Sequence, residues 1–183
     1  MFKKISGVIF LGVFFSFLFD VATSPAISQN RQFHVKSHLQ FDKSFSGKTF
    51  VLDGDSIKVG VNEVRLVEID APEYSQKCFD EKKQEYACGQ ISRDFLIKLA
   101  GGKEVKCFYA QKDKYDRFLG KCWVGEISIN QEILKNGMAV IYNFAEVDEK
   151  MVGFESDAKT KKIGIWRGAF QLPKDYRKEH PRK

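Results

Sequence analysis

Between Val51 and Glu73 the chain reads VLDGDSIKVGVNEVRLVEIDAPE, placing Asp53, Asp55, Asp70 and Glu73 around Arg65. Carboxylates are hard oxygen donors, so such a cluster suits calcium or magnesium and offers nothing soft to zinc or copper. On an extended chain residues two apart share a face, roughly 7 Å along the strand, so Asp53 and Asp55 can serve one site. Gly54 between them has no side chain to crowd a ligand. Asp70-Ala71-Pro72-Glu73 sets a carboxylate on each side of a rigid proline turn. An arginine among acids has a use if a phosphate is held between metal and guanidinium. The blander reading is a set of turn acids, with Arg65 paired at the surface to Glu63 or Glu68 for about 0–1 kcal/mol.

The elements that must position these groups can be read from periodicity. Lys48 to Val59 alternates as a strand with Phe50, Leu52, Ile57 and Val59 apolar. Gly60 to Glu63 reads as a turn, and Val64 to Ile69 as a second strand completing a hairpin. Arg65 and Asp70 are five apart, so an ideal strand points them to opposite faces. They meet only if Asp70 lies past the strand end or a bulge intervenes. Gln90 to Ala100 is a helix with Ile91, Phe95, Leu96 and Leu99 on one stripe, ended by Gly101-Gly102. Glu104 to Tyr109 and Phe118 to Val124 are strands flanking the polar connection from Gln111 to Arg117. Asn130 is expected to cap a short helix ending at Gly137, with Ile129 and Leu134 as its hydrophobic staple. Met138 to Tyr142 reads as a strand and Asp148 to Lys162 as the last helix. Residues 174–183 read as a polar, basic tail. Short strands that cross back on themselves, with few helices, imply a small antiparallel barrel carrying helices outside it.

The chain has 183 residues, 43% hydrophobic and 30% charged, which fits one domain and excludes global disorder. Lys3 and Lys4, an apolar run from Ile5 to Phe19, and small residues from Ala22 to Ala26 resemble a secretory signal over residues 1–28. The run is short of the ~20 residues of a comfortable membrane span, and an uncleaved anchor is the alternative. Removing Lys3, Lys4 and Asp20 lowers the formal charge by one, from +6 to +5, and a basic protein favours polyanionic partners. Residues 29–47 form a polar lead-in, strand or arm. Cys78, Cys88, Cys107 and Cys122 all lie in the exported part. An even count reads as two bridges, Cys78–Cys88 around a polar loop and Cys107–Cys122 across a strand pair. A zinc site is the alternative, weakened by the lack of any C-x-x-C spacing or nearby histidine. His34, His38 and His180 fall outside the central region, leaving a histidine-based hydrolase without its base.

Asp53-Gly54-Asp55-Ser56, Arg65-Leu66, Ile69-Asp70-Ala71-Pro72-Glu73 and Asp113-Lys114-Tyr115-Asp116-Arg117, in this order, resemble the staphylococcal-nuclease-like thermonuclease family, as does the Gly-Ile-Trp at Gly164 to Trp166. The resemblance covers about Lys48 to Trp166. It implies an α+β, mainly β fold, a five-stranded OB-fold barrel with three packed helices over residues 48–168, followed by the tail at 169–183. It implies a monomer with no stable protein partner that cleaves DNA and RNA with one calcium ion and leaves 3′-phosphate ends. Carried over, Asp55, Asp70 and the backbone carbonyl of Ala71 would hold the ion, with Asp53 just outside that shell. Glu73 would orient or deprotonate the attacking water, and Arg65 and Arg117 would bind the scissile phosphate. Tyr115 and Tyr142, near predicted rims, are candidates for stacking on bases. Ala71 stands where the best-known member has threonine. Asp116 stands where the family usually has glycine, and adds a negative charge beside Arg117. The alternative from another class is a catalytically silent OB-fold module that binds nucleic acid or protein; it would be expected to have lost the acids or the arginines.

Overall fold

The computed structural model describes residues 40–142 and 147–181. The expected signal and most of the polar lead-in lie outside the described residues. The chain runs through β1 (Lys43–Asp53), β2 (Ser56–Val59), β3 (Asn62–Leu66), β4 (Ile69–Asp70), β5 (Cys78–Asp80), β6 (Glu85–Tyr86) and α1 (Cys88–Ala100). It continues through β7 (Glu104–Lys112), β8 (Phe118–Val124), β9 (Ile127–Ser128), α2 (Ile129–Lys135), β10 (Val140–Ile141) and α3 (Glu149–Thr160). A 3₁₀ turn at Gly164–Arg167, β11 (Gly168–Ala169) and α4 (Pro173–Glu179) complete it. Strands β1, β2, β3, β8 and β7 form a closed five-stranded barrel. Its neighbours are antiparallel except where β3 meets β8 in parallel and shuts the ring. This is the OB-fold barrel expected from the sequence.

The barrel interior is filled by Val51, Ile57, Val59, Val64, Leu66 and Val105, and helices α1 to α3 add Leu96, Ile133, Leu134 and Met151 to the same core. The stretch read as one strand, Lys48 to Val59, is two, because the chain reverses at Gly54-Asp55. Reversal resets the alternation: Ile57 and Val59 point inward, while Phe50 is 64% exposed and its neighbour Val51 takes the core position. The lead-in contributes barrel strand as well, since Lys43 to Lys48 pairs with Tyr109 to Glu104 of β7. The polar loop after Lys77 carries β5 and β6, and β11 adds to them as a third strand. Both expected disulfides form. Cys78–Cys88 staples the β5–β6 loop to the start of α1, and Cys107–Cys122 joins directly paired residues of β7 and β8, their Cα atoms 4.1 Å apart.

Two further assignments are corrected. Ser128, not Asn130, precedes α2; Asn130 sits inside the helix and is 2% exposed. Its Oδ1 accepts from the Cys122 amide at 3.0 Å and its Nδ2 donates to the Val67 carbonyl at 2.9 Å, tying α2 to the barrel wall. Asn130→Ala leaves both backbone groups without that partner, so a loss of about 1–3 kcal/mol is expected; an unchanged urea midpoint would contradict the role. Pro173–Glu179, most of which falls in the segment read as a polar tail, forms α4, a fourth helix whose one buried residue is Pro173.

Candidate active site

The local folding that brings the acids together starts at the β1–β2 turn. Gly54 is indispensable there, though not for leaving space to a ligand: a Cβ at this position would lie 2.5 Å from the Ser92 hydroxyl and 2.7 Å from the Ala71 side chain. That close approach seats the turn on Ala71, whose amide donates to Asp55 Oδ2 at 3.0 Å. Asp53 instead holds its own turn, accepting from the Gly54 amide at 2.8 Å. The five-residue separation of Arg65 and Asp70 is resolved by a break after Leu66. Glu68 adopts a left-handed φ of 69°, and β4 restarts with the opposite phase. Pairing of Asp70 with Val140 of β10 fixes the result. Arg65 thereby bridges two acids, one guanidinium nitrogen on Asp55 and Nη2 on Asp70 Oδ1 at 3.0 Å. Neither Glu63 nor Glu68 is its partner; Glu68 pairs with Lys121 at 2.6 Å.

Glu73 is placed by its backbone. Its carbonyl accepts from the Gln76 amide at 2.7 Å and its amide donates to Gln76 Oε1 at 3.2 Å. Gly89 at the start of α1 packs so tightly on this carbonyl that a Cβ would lie 1.8 Å from it. Gln76 is fully buried and its Nε2 donates to the Gln171 carbonyl at 2.7 Å, linking the Glu73 turn to the chain ahead of α4. No local sequence pattern singles out Gln76.

Arg117 ends the β7–β8 connection, which Asp113 organises. Asp113 accepts from the Tyr115 and Arg117 amides and, at 2.9 and 2.7 Å, from Arg117 Nε and Nη2. Asp116 occupies the left-handed region at φ 65° and pairs with Lys112 at 2.8 Å, which offsets its charge. Arg65, Arg117, Asp55 and Glu73 line one open cleft of about 720 Å³, with Tyr115 and Tyr142 on its walls. Tyr142 lies 5.8 Å from the Arg65 guanidinium and Tyr115 lies 5.4 Å from that of Arg117. Asp53 lines an adjoining hollow together with Glu73 and Arg117. Lys114, Glu63 and His180, not anticipated, also face the main cleft.

The residue that sequence reasoning missed is Arg177 on α4. Its Nη1 lies 2.8 Å from Asp70 Oδ1 and 3.0 Å from Glu73 Oε1, and its Nη2 lies 3.1 Å from Asp70 Oδ2. The only signal in the sequence was positive charge in a basic terminus.

Burial shapes the electrostatics. Asp70 is 1% exposed, and burial pushes its carboxyl above the ordinary value against the pull of Arg177 and Arg65. Burial opposes the charge on Arg65, but Asp55 and Asp70 outweigh it and hold the guanidinium above the usual arginine value. Burial likewise opposes the charge of Asp113, yet the donations from Arg117 and Tyr115 keep its carboxyl below the ordinary 3.8. In the window between its folded and unfolded values the unfolded chain binds the extra proton. The contribution of Asp113 is therefore complete above the ordinary carboxylate value and lost as pH falls through the folded one. Asp113→Asn is expected to be less stable than the parent at about pH 6, with the gap narrowing as pH falls below the ordinary carboxylate value. A gap in urea midpoint that does not change with pH would contradict this.

Among the described residues no group of three histidine, cysteine, aspartate or glutamate side chains stands ready to hold an ion. The acids are turned onto guanidiniums instead. Asp55 and Asp70 nevertheless adjoin one another across Arg65 and offer only hard oxygens, the donor type that calcium and magnesium take.

Residues 63–168 match the family described as staphylococcal nuclease homologue. The chain is 35% identical over 128 residues to an uncharacterised endonuclease of Escherichia coli O157:H7, covering 67% of this chain and 77% of that protein. It is 34% identical over 125 residues to the succinoglycan biosynthesis protein ExoI of Rhizobium meliloti (strain 1021), covering 66% of this chain and 64% of the relative. It is 30% identical over 129 residues to the probable endonuclease LCL3 of Pyricularia oryzae, covering 64% of this chain and 49% of the fungal protein. The family match begins at Glu63, so Asp55 lies outside it yet contacts Arg65 within it. On a match across more than half its length, carried by the barrel that the structure displays, the chain belongs to the staphylococcal nuclease homologue family.

Proposed function

We propose that this protein is an exported, calcium-dependent endonuclease that hydrolyses phosphodiester bonds of DNA and RNA and leaves 3′-phosphate ends. The observation that carries the reading is the single cleft lined by Asp55, Arg65, Glu73 and Arg117, wide enough for a phosphodiester and open to solvent. Relatives named endonucleases support the reaction class. Export is supported by the charged, apolar and small-residue pattern of residues 1–28 and by two disulfides, which persist in oxidising compartments. No helix among the described residues is long and apolar enough to cross a membrane.

Asp55, Asp70 and the carbonyl of Ala71 would hold the ion, with Asp53 outside that set. Bound there, calcium would supply Lewis-acid stabilisation of charge on phosphoryl oxygens. Arg65 and Arg117 bind the non-bridging oxygens from two sides. Because attack at phosphorus builds negative charge there, preorganised guanidiniums favour the transition state over the substrate. Glu73 accepts a hydrogen bond from the attacking water and takes its proton. Tyr115 and Tyr142 offer ring faces to the flanking bases. The positive formal charge draws the polyanion in, so affinity should fall with salt.

Digestion of a plasmid and of a single-stranded RNA in calcium against EGTA tests this, with end groups read by phosphatase-dependent labelling. Cleavage lost in EGTA and restored by calcium, with 3′-phosphate products, is the expected result. Absent cleavage by folded protein would identify the chain as a silent OB-fold module, and cleavage that persists in EGTA would overturn the calcium dependence.

A further inference from the structure

We infer that Arg177 is the site's built-in counter-cation, occupying the acid cluster when no divalent ion is bound and leaving, with α4, when one binds. This inference rests on the acids being the ion site. Three observations carry it. Arg177 engages Asp70 through both terminal nitrogens and reaches Glu73 with one of them, so one side chain spans the carboxylates on both sides of the Pro72 turn. The charge balance fits a substitution. The carboxylates of Asp55, Asp70 and Glu73 against the guanidiniums of Arg65 and Arg177 sum to −1, and without Arg177 to −2, the charge that one calcium ion cancels. Both Asp70 oxygens are taken, Oδ1 by Arg65 and Arg177 and Oδ2 by Arg177, so withdrawal of Arg177 is what frees an Asp70 oxygen for an ion.

The third observation is how lightly α4 is attached. Pro173 is its only buried residue. Polar ties are added by the Tyr176 and Ser75 hydroxyls at 3.2 Å and by the Gln76 to Gln171 hydrogen bond just ahead of it. Tyr176 and His180 stack on each other, 4.2 Å between ring centres, rather than inserting into the core. A seven-residue helix held this way is not stable alone, so the Arg177 pairs are a main part of its docking. By linkage, ion binding and α4 docking oppose each other with the same coupling free energy. Release of α4 also widens the cleft, because Arg177, His180 and Pro181 form one of its walls.

The test uses the full chain and calcium alone, without substrate. Calorimetric titration of Arg177→Gln is expected to show calcium binding roughly tenfold tighter or more than the parent, because the binding-competent state no longer has to be freed. In the parent, calcium is expected to speed amide hydrogen exchange across residues 172–180 while the barrel strands stay protected. Equal or weaker binding by Arg177→Gln overturns the inference, as does calcium that slows exchange in α4. A variant that loses activity through a raised KM at unchanged calcium affinity also overturns it, and makes Arg177 a phosphate ligand instead. The nuclease reading fails separately: tighter calcium binding and α4 release with no cleavage would leave the counter-cation standing and remove the enzyme.

Discussion

Replacing Arg65 with Ala is expected to lower kcat/KM on DNA by roughly 10²–10³-fold, the usual loss when one preorganised donor to a developing oxyanion is removed. The same change should cost about 3–5 kcal/mol of stability in calcium-free buffer, since it strips a partner from two buried carboxylates. Asp55 is 8% and Asp70 1% exposed; without Arg65, Asp70 keeps the Arg177 guanidinium, whereas Asp55 is left with the Ala71 amide and the Ser56 hydroxyl. The two effects separate on adding calcium. Stability should recover in part, because an ion can offset the acids, whereas activity should not, because the scissile phosphate still lacks its guanidinium. Arg65→Lys sharpens the point. It keeps the charge and so most of the stability, but a point charge cannot bridge Asp55 and Asp70 or grip two phosphate oxygens as the planar fork does. Steady-state kinetics alongside urea titrations, with and without calcium, check both halves. A lysine variant with parental kcat/KM would show that Arg65 is only a structural ion-pair partner.

The second large effect is expected at Glu73. Glu73→Gln preserves shape and hydrogen-bonding reach but removes the basic oxygen, and a lost general base lowers kcat by about 10²–10⁴-fold. The turn itself should survive. Glu73 is positioned by backbone bonds to Gln76 and by contact with Gly89, neither of which involves its carboxylate. KM should change far less than kcat, since the scissile phosphate is bound by Arg65 and Arg117. A variant that is folded and retains the parental kcat would remove Glu73 from the chemistry.

Which of these features were readable from the sequence depends on how local their causes are. The Cys107–Cys122 bridge was legible because both cysteines sit on alternating strands about a symmetric connection, and antiparallel pairing then leaves them opposite each other. The barrel was legible for the same reason: strand period and turn residues are short-range signals. The meeting of Arg65 and Asp70 was legible only as a condition, a break or bulge between them. The break is a left-handed Glu68, a residue type that rarely announces such a turn. Asn130 looked like a helix cap because asparagine favours caps. Its actual partners, Val67 and Cys122, lie on other elements, and that tertiary demand outweighed the local preference. Gln76 and Arg177 carried no local signal. Arg177 finds Asp70 across 107 positions of sequence, a pairing that exists only in the folded chain, where β11 pairs with β5 just ahead of α4.

Asp55, Asp70, Glu73, Arg65 and Arg117 should act together on one phosphodiester. A crystal structure of the protein soaked with calcium and a nucleoside 3′,5′-bisphosphate tests it most directly. An ion on Asp55 and Asp70, a phosphate gripped between Arg65 and Arg117, and a base against Tyr115 or Tyr142 are expected. A bisphosphate bound away from that cleft, or one seated there with both arginines still committed to their own acids, would contradict it.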